Sequence, residues 1–367
     1  MPMNPRYKRI VVKVGTNVIT GSDRLLDSET MRHLVEQIAA LRRAGVEVIL
    51  VSSGAVGAGR SQVQLSDKVD AVSARQIWAA VGQIQLFQTY KELFTPHALV
   101  CAQVLATRED FRDRRHYLNM KNCFFALLQQ GIVPIVNEND VVSVTELMFT
   151  DNDELAGLIA AMVGADALML LTNVDGIFDA PPSQPNAQLI SRVEPDDLNV
   201  KRHLSTAVSS EKSPFGRGGM LTKSSIAYKS AAMGITVHIA NGKAERTIER
   251  LTEGATLGTT FVAHKTASSV KRWIAHARGY EKGSIYINAG AAEKLLDTNK
   301  AFSLLPVGIT RIEGDFAKGD IVKICDADGT TLAFGVAQYG SESAQNLIGL
   351  KNQKPLVHYD YLFIVRS

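Results

Sequence analysis

At 367 residues the chain has room for about two domains. Its 46% hydrophobic and 21% charged residues suit folded cores, and a net charge of +3 is too slight to imply a nucleic-acid or membrane partner. No run of about 18 apolar residues occurs, so no membrane span is expected. The opening MPMNPRYKRIVVKVG lacks the apolar core and small-residue cleavage site of a signal peptide. Cys101, Cys123 and Cys325 are odd in number and widely spaced. They fit reduced thiols in a cytoplasmic protein, not a disulfide framework or a zinc site.

Arg9 to Val14 reads as a short β-branched strand that ends at Lys13-Val14-Gly15-Thr16. Asp27 to Ala44 reads as a helix capped by Asp27 or Ser28 and stopped by Gly45. Val46 to Val51 is nearly all apolar, as in a parallel sheet covered on both faces, and Ser53-Gly54-Ala55-Val56-Gly57-Ala58-Gly59 follows it closely. Helical periodicity runs from about Val69 to Phe94 and from Arg114 to Gln130, with a strand between at Ala98 to Leu105. Ile132 to Val136 is a buried strand that breaks into Asn137-Glu138-Asn139-Asp140. Thr150-Asp151-Asn152-Asp153 then leads into a helix, Ala167 to Leu171 is a strand, Lys223 to Met233 a helix and Ile235 to Ala240 a strand. The alternation predicts an α/β fold, an open, mainly parallel sheet with helices on both faces. His264 to Arg278 holds four basic residues and no acidic ones, and marks a linker at 265–280 between domains at 1–264 and 281–367. Past Gly283 short strands and turns predict a small, mostly β domain, with a hairpin signal at Asp326-Ala327-Asp328-Gly329.

Several stretches carry candidate chemistry. Lys13 sits at a strand's carboxyl end beside Gly15, where backbone can approach a ligand closely; a solvated lysine has the same sequence. The Ser53 to Gly59 stretch is either a tight turn or an anion site of free N–H groups, and it is not a dinucleotide fingerprint. Gly216-Arg217-Gly218-Gly219-Met220-Leu221-Thr222-Lys223 reads as a phosphate cradle or a flexible loop, and is not a Walker A motif, because Thr222 and not Gly precedes the lysine. Thr172-Asn173-Val174-Asp175-Gly176 ends another strand, as a turn or a ligand wall. The clusters Asn137 to Asp140 and Asp151 to Asp153 hold more amides and carboxylates than a turn and a cap require. Two lysines, glycine-rich loops and such clusters point to phosphoryl transfer, in which cations and N–H groups stabilise the charge on the migrating group. No obvious general base presents itself. A carboxylate acceptor, with a pKa of roughly 4.3, needs none, which favours an acyl-phosphate product.

These motifs, in this order, resemble the glutamate 5-kinase family of the amino-acid kinase superfamily, with a C-terminal PUA domain. The residues that carry the resemblance are Val12-Lys13-Val14-Gly15-Thr16, Ser52-Ser53-Gly54-Ala55, Thr107-Arg108, Asp113-Arg114, Tyr117-Leu118-Asn119, Asn137-Glu138-Asn139-Asp140, Asp151-Asn152-Asp153 and Gly218-Gly219-Met220-Leu221-Thr222-Lys223. The resemblance implies ATP-dependent phosphorylation of the γ-carboxylate of L-glutamate, the first step of proline biosynthesis. It implies that Lys13 and Lys223 neutralise the phosphates and that Asp153 orients both lysines by ion pairing. Asp140 would bind the substrate ammonium. Ser53, Gly54, Asn137, Asp151 and Asn152 would complete the glutamate site. Gly15, Thr172, Asn173 and the loop of Arg217, Gly218, Gly219, Met220, Leu221 and Thr222 would line ATP. It also implies Mg2+ held mainly by phosphate oxygens and water, with no dedicated protein ligand set. Proline feedback inhibition, homo-oligomers and hand-off of product to glutamyl phosphate (glutamate-5-semialdehyde) reductase follow from the resemblance alone. Asn173 stands where the family often has Asp, and Arg217 where it often has Thr.

Near alternatives are N-acetylglutamate, aspartate and uridylate kinases. Asp140 opposes the acetylated amine and the uracil, since only a free ammonium needs a carboxylate partner. An RNA-binding role through the PUA-like domain is a different reading. Glu281 to Ser367 holds nine Lys/Arg against ten Asp/Glu, a net of −1, where an RNA module needs a basic footprint.

Overall fold

The computed structural model describes residues 4–21, 25–142, 151–180, 184, 186–194, 219–264, 281–297 and 302–365. It divides into two compact units, Met1–Asp110 with Tyr117–Thr266, and Phe111–His116 with Ala267–Ser367. The predicted linker at 265–280 lies outside the described residues.

In the first unit, short apolar runs form Arg9–Val14 (β1), Glu47–Ser52 (β2), Cys101–Ala106 (β3), Val133–Glu138 (β4), Ala167–Thr172 (β5), Arg192–Val193 (β6), Thr236–Asn241 (β7) and Thr259–Phe261 (β8). They make one sheet in the order β3-β4-β2-β1-β5-β7-β8-β6. Every described pairing is parallel except β7 with β8. This is the mainly parallel sheet that the alternating pattern predicts, with an antiparallel edge added. β4 and β5 are buried along their whole lengths, which requires cover on both faces. Ser28–Arg43 (α2) follows the short Thr16–Ile19 (α1), and Asp27 caps it by accepting from the N–H groups of Glu29 and Thr30. Alternation along β1 sends Ile10, Val12 and Val14 into one core with Met31, Leu34 and Ile38 of α2. Val11 and Lys13 therefore face the other side, against Asn152–Val163 (α7). Each fully buried Val, Ile or Leu contributes about 1.5–3 kcal/mol, so the alternation that fills the core also fixes where Lys13 points.

The sequence runs from β1 to β2 on one side and returns to β5 on the other. β1 is thus the strand at which the order reverses, and ligands in open α/β sheets bind at the carboxyl end of such a strand. The glycines after β2 behave differently from a free loop. A helix, Ala55–Gln62 (α3), begins at once, with Gly54 at φ 109° as its N-cap. Gly59 lies inside this helix and serves packing. A Cβ there would fall 1.8 Å from the carbonyl of Trp78 in Ala71–Phe94 (α4), and a Cβ on Gly82 of α4 would fall 1.9 Å from the carbonyl of Ala55.

The remaining helices that lie wholly or mainly in the first unit are Arg108–Arg112 (α5), Arg114–Gln129 (α6), Met220–Ala232 (α8) and Thr247–Thr252 (α9). Among the described residues no helix is long and apolar enough to cross a membrane.

The second unit holds Gly283–Ile287 (β9), Ile309–Gly314 (β10), Ile321–Cys325 (β11), Thr331–Ala337 (β12) and Val357–Ile364 (β13), in the order β10-β9-β11-β12-β13. Two short helices accompany them, Ala289–Leu296 (α10) and Ser341–Leu347 (α11). β11 and β12 form the predicted antiparallel hairpin, whose turn is held by Asp326 and carries Gly329 at φ 87°. Ile285, Ile287, Leu295, Val322, Ile324 and Leu356 belong to a core of its own.

Candidate active site

The parallel strands bring four carboxyl ends to one edge of the sheet. Lys13 is the last residue but one of β1, Ser52 ends β2, Asn137 and Glu138 end β4, and Thr172 ends β5. The register places Val14 opposite Ser52 and Leu171, so these ends lie level. Helices α7 and α8 begin at the same edge, since the first turn of each delivers a residue to the same ion cluster.

That cluster is the centre of the site. Asp153, fully buried at 0% exposure, lies between two ammonium groups. Lys223 Nζ donates to its Oδ2 at 2.5 Å, and Lys13 Nζ lies 2.6 Å from its Oδ1, an ion pair outside hydrogen-bond alignment. Burial opposes the charge on Asp153, but the two lysines outweigh it and hold the carboxyl down at about 2. Burial lowers the pKa of Lys13, Asp153 raises it and the neighbouring Lys223 lowers it further. One carboxylate against two ammonium groups leaves a positive excess in a dry setting, suited to an incoming polyphosphate. Gly15 supports this arrangement by what it omits. Its φ of −76° suits any residue, and a Cβ would stand 3.5 Å from Lys13 Nζ and fill the space beside it.

Asp151 caps α7 by accepting from the N–H groups of Asp153 and Glu154 through Oδ1. Its Oδ2 is buried without a hydrogen-bond partner. Burial, and then the charge of Asp153, push its pKa up to about 6 against the pull of the two lysines.

Beside the triad runs a polar net. Asn152 Nδ2 donates to Ser53 Oγ and to Asn137 Oδ1, both at 2.9 Å. Asn137 in turn donates to Gln83 Oε1 of α4 at 2.8 Å, and its Oδ1 also accepts from the Glu138 N–H. Both polar ends of Asn137 thus have protein partners, Oδ1 accepting twice and Nδ2 donating once. Gly54 follows Ser53 as the left-handed N-cap of α3, where a Cβ would meet Ile19 at 2.9 Å.

Asp140 stands farther along. Arg75 of α4 donates to its Oδ1 from Nε at 2.9 Å and from Nη2 at 2.6 Å. Nη2 also lies 3.5 Å from Glu138 Oε2. Sequence reasoning missed Arg75 and Gln83 because their partners are distant in the chain. A signal for Arg75 was present: it is the single charged residue between Ala71 and Tyr90 in the helix.

Thr172 is buried at the end of β5, and its Oγ1 donates to the exposed Asn173 at 3.4 Å. Gly219 is the N-cap of α8 without side-chain help, Leu221 is exposed, Met220 and Thr222 are half-buried, and Lys223 is buried. Arg217 and Gly218 lie outside the described residues.

A reversal strand bearing a buried lysine, a second lysine one turn into a helix, and a carboxylate between them define a phosphoryl-transfer enzyme of the α/β class. Residues 8–241 match the profile of the amino acid kinase family, and residues 283–359 that of the PUA domain. A protein named glutamate 5-kinase from Chlorobaculum tepidum is 52% identical over 99% of this chain and 99% of its own. Another of that name, from Bacteroides thetaiotaomicron, is 50% identical over 99% and 100%. Among solved structures, the UMP kinase of Bacillus anthracis covers 71% of this chain and 97% of its own at 16% identity and a TM-score of 0.50, a likeness of fold alone. The chain belongs to the amino acid kinase family and, within it, to the glutamate 5-kinases.

Proposed function

We propose that this enzyme transfers the γ-phosphoryl group of ATP to the γ-carboxylate of L-glutamate, giving L-glutamyl 5-phosphate and ADP, the first step of proline biosynthesis. The observation that supports this most is the buried Lys13–Asp153–Lys223 triad at the carboxyl end of β1. A γ-carboxylate oxygen attacks the γ-phosphorus as the bond to the β-bridging oxygen breaks. The acceptor is already ionised at neutral pH, so no base is required. Negative charge on the migrating group is met by Lys13 and Lys223, and Asp153 keeps their two ammonium groups close in spite of their repulsion. Catalytic roles thus fall to Lys13, Lys223 and Asp153. Ser53, Gly54, Asn137, Asp140, Asp151 and Asn152 form the glutamate side. Gly15, Thr172, Asn173 and residues 217–223 form the ATP side.

Among the described residues no three His, Cys, Asp or Glu side chains gather to hold a metal. Mg2+ would be carried on phosphate oxygens and water, with the orphaned Asp151 Oδ2 as a fitting protein ligand. Bound there, it supplies neutralisation of the polyphosphate. The catalytic domain spans 1–264, the linker 265–280 and the PUA-like domain 281–367, and the enzyme works in the cytoplasm. Exposed Ile84, Val100 and Leu105 support a homo-oligomer. The product is an unstable mixed anhydride, which supports hand-off to glutamyl phosphate reductase, and proline is the feedback inhibitor.

Hydroxamate trapping of the acyl phosphate, with ATP and glutamate, aspartate, N-acetylglutamate or UMP offered in turn, tests the reading. Glutamate alone yields hydroxamate efficiently. A phosphorylated product from UMP, or faster turnover of N-acetylglutamate, overturns it.

A further inference from the structure

The contact between Arg75 and Asp140 is one-sided. Both guanidinium donors, Nε and Nη2, converge on Oδ1. Among the described residues none donates to Oδ2. The Nη1 group of Arg75 likewise meets no described acceptor, and the side chain is 28% exposed while that of Asp140 is 8% exposed. One carboxylate oxygen of Asp140 and the Nη1 nitrogen of Arg75, groups of opposite charge in one ion pair, are therefore left over. Neighbouring contacts brace the pair. Gln76, next to Arg75, donates to the Val141 carbonyl at 2.9 Å, and Glu138 Oε2 lies 3.5 Å from the same Nη2 that donates to Asp140. Asn137 links the same strand end to Asn152, which precedes Asp153 of the lysine triad.

An α-amino acid presents an ammonium and a carboxylate on one carbon. Each needs its own partner when drawn out of water, since an unmatched charge costs more than a matched pair returns. Asp140 alone answers only the ammonium. We propose that Arg75 is a specificity-determining residue that binds the α-carboxylate of the amino-acid acceptor through its free Nη1 edge, while Asp140 Oδ2 takes the ammonium. The four charges then alternate in sign around the head group, and the guanidinium that positions Asp140 also reads the group beside it. This assignment rests on the amino-acid acceptor of the proposed function and names the residue that distinguishes an α-amino acid from a plain amine.

The test compares L-glutamate with 4-aminobutyrate, which has the same amine on the same carbon but no α-carboxylate. Hydroxamate formation is followed for the wild-type enzyme, Arg75→Gln and Arg75→Lys, with circular dichroism and melting curves recorded for each. Wild type prefers glutamate strongly in kcat/KM. Arg75→Gln raises the KM for glutamate by about 10- to 100-fold, the loss expected for a hydrogen bond to a charged group. 4-Aminobutyrate loses only the smaller share that comes from positioning Asp140, so the preference collapses, and Arg75→Lys restores part of it. An equal loss for both acceptors, or an unchanged ratio in a folded variant, overturns the assignment, because an arginine that only positions Asp140 acts on the ammonium common to both. A wild-type enzyme without preference overturns it irrespective of how the variants fold. Wild-type inactivity toward glutamate overturns the underlying reading and this assignment with it.

Discussion

Asp153 shows how one residue ties stability to activity. Its charge is affordable only because two lysines meet it, and they tolerate each other only because it lies between them. Asp153→Asn leaves two buried ammonium groups facing a neutral amide. Breaking a buried pair in this way costs about 3–5 kcal/mol, and a denaturant melt should show a loss of that order together with a fall in kcat. Wild-type rates in that variant would reduce Asp153 to a residue of the helix start. Lys13→Ala and Lys223→Ala should each lower kcat by about 10²–10³-fold, as loss of one transition-state donor does elsewhere, with the fold retained. Normal turnover in both would remove the phosphate clamp. Asp151 works in the opposite sense. Its pKa is raised from the ordinary 3.8 to about 6. The stability it adds is complete below about 3.9 and is lost as pH rises through about 6, whereas that of Asp153 is complete above about 3.9 and is lost as pH falls toward 2. Asp151→Asn keeps a capping side chain and removes the buried charge. At about 1.4 kcal/mol per pH unit the gain at pH 7.5 has a ceiling of about 3 kcal/mol. Melting temperatures from pH 4 to 8 should rise relative to wild type mainly above pH 5, and a variant that melts lower at pH 7.5 contradicts this account.

At the scale of elements, the site depends on helices that carry no catalytic residue. α3 holds Ser53 in place at its N-terminus and packs on α4 through Gly59 and Gly82 at backbone distance. A Cβ on Gly82 would stand 2.3 Å from the Gly59 nitrogen as well as 1.9 Å from the Ala55 carbonyl. Gly82→Ala should therefore push α3 away, cost about 1–3 kcal/mol as overpacking does, and raise the KM for glutamate by moving Ser53 from Asn152. Chemical denaturation and initial rates check both effects, and unchanged values would mean that the two helices separate freely. Six strands of the first sheet were legible because their apolar runs are local, with ends displaced by up to three residues, as at Cys101–Ala106 against the predicted Ala98 to Leu105, whereas the short β6 and β8 carry no such run and were missed. The start of α7 was legible because Asp and Asn announce a cap. Gly59 looked like part of a phosphate loop because a glycine needed for helix packing has the same letter as one needed for a turn. The contact of Arg75 with Asp140 was not legible, because the two lie 65 residues apart and only the fold joins them.

Among the described residues each of the two units has an apolar core of its own. One is built from β1, β2, β4, β5 and the helices over them, with Val12, Leu34, Leu50, Tyr90 and Met169 among its members. The other is built from the second sheet, with Ile285, Val322, Ile324 and Val357. Every element that delivers a residue to the lysine triad or the polar net belongs to the first unit. A cooperative unfolding unit is defined by a shared core, so the chain should melt in two calorimetric transitions. A ligand that binds a native site raises stability by RT ln(1 + [L]/Kd), about 2.7 kcal/mol at a hundredfold excess over Kd, and it acts only on the unit that holds the site. ADP and glutamate together at that excess should move one transition upward and leave the other in place. The moving transition should then be the one that coincides with loss of the tryptophan signal in a Trp273→Phe variant, whose remaining tryptophan is Trp78 of the first unit. A single transition that shifts as a whole would mean that the two cores unfold together, and a shift confined to the second unit would place the nucleotide away from Lys13 and Lys223.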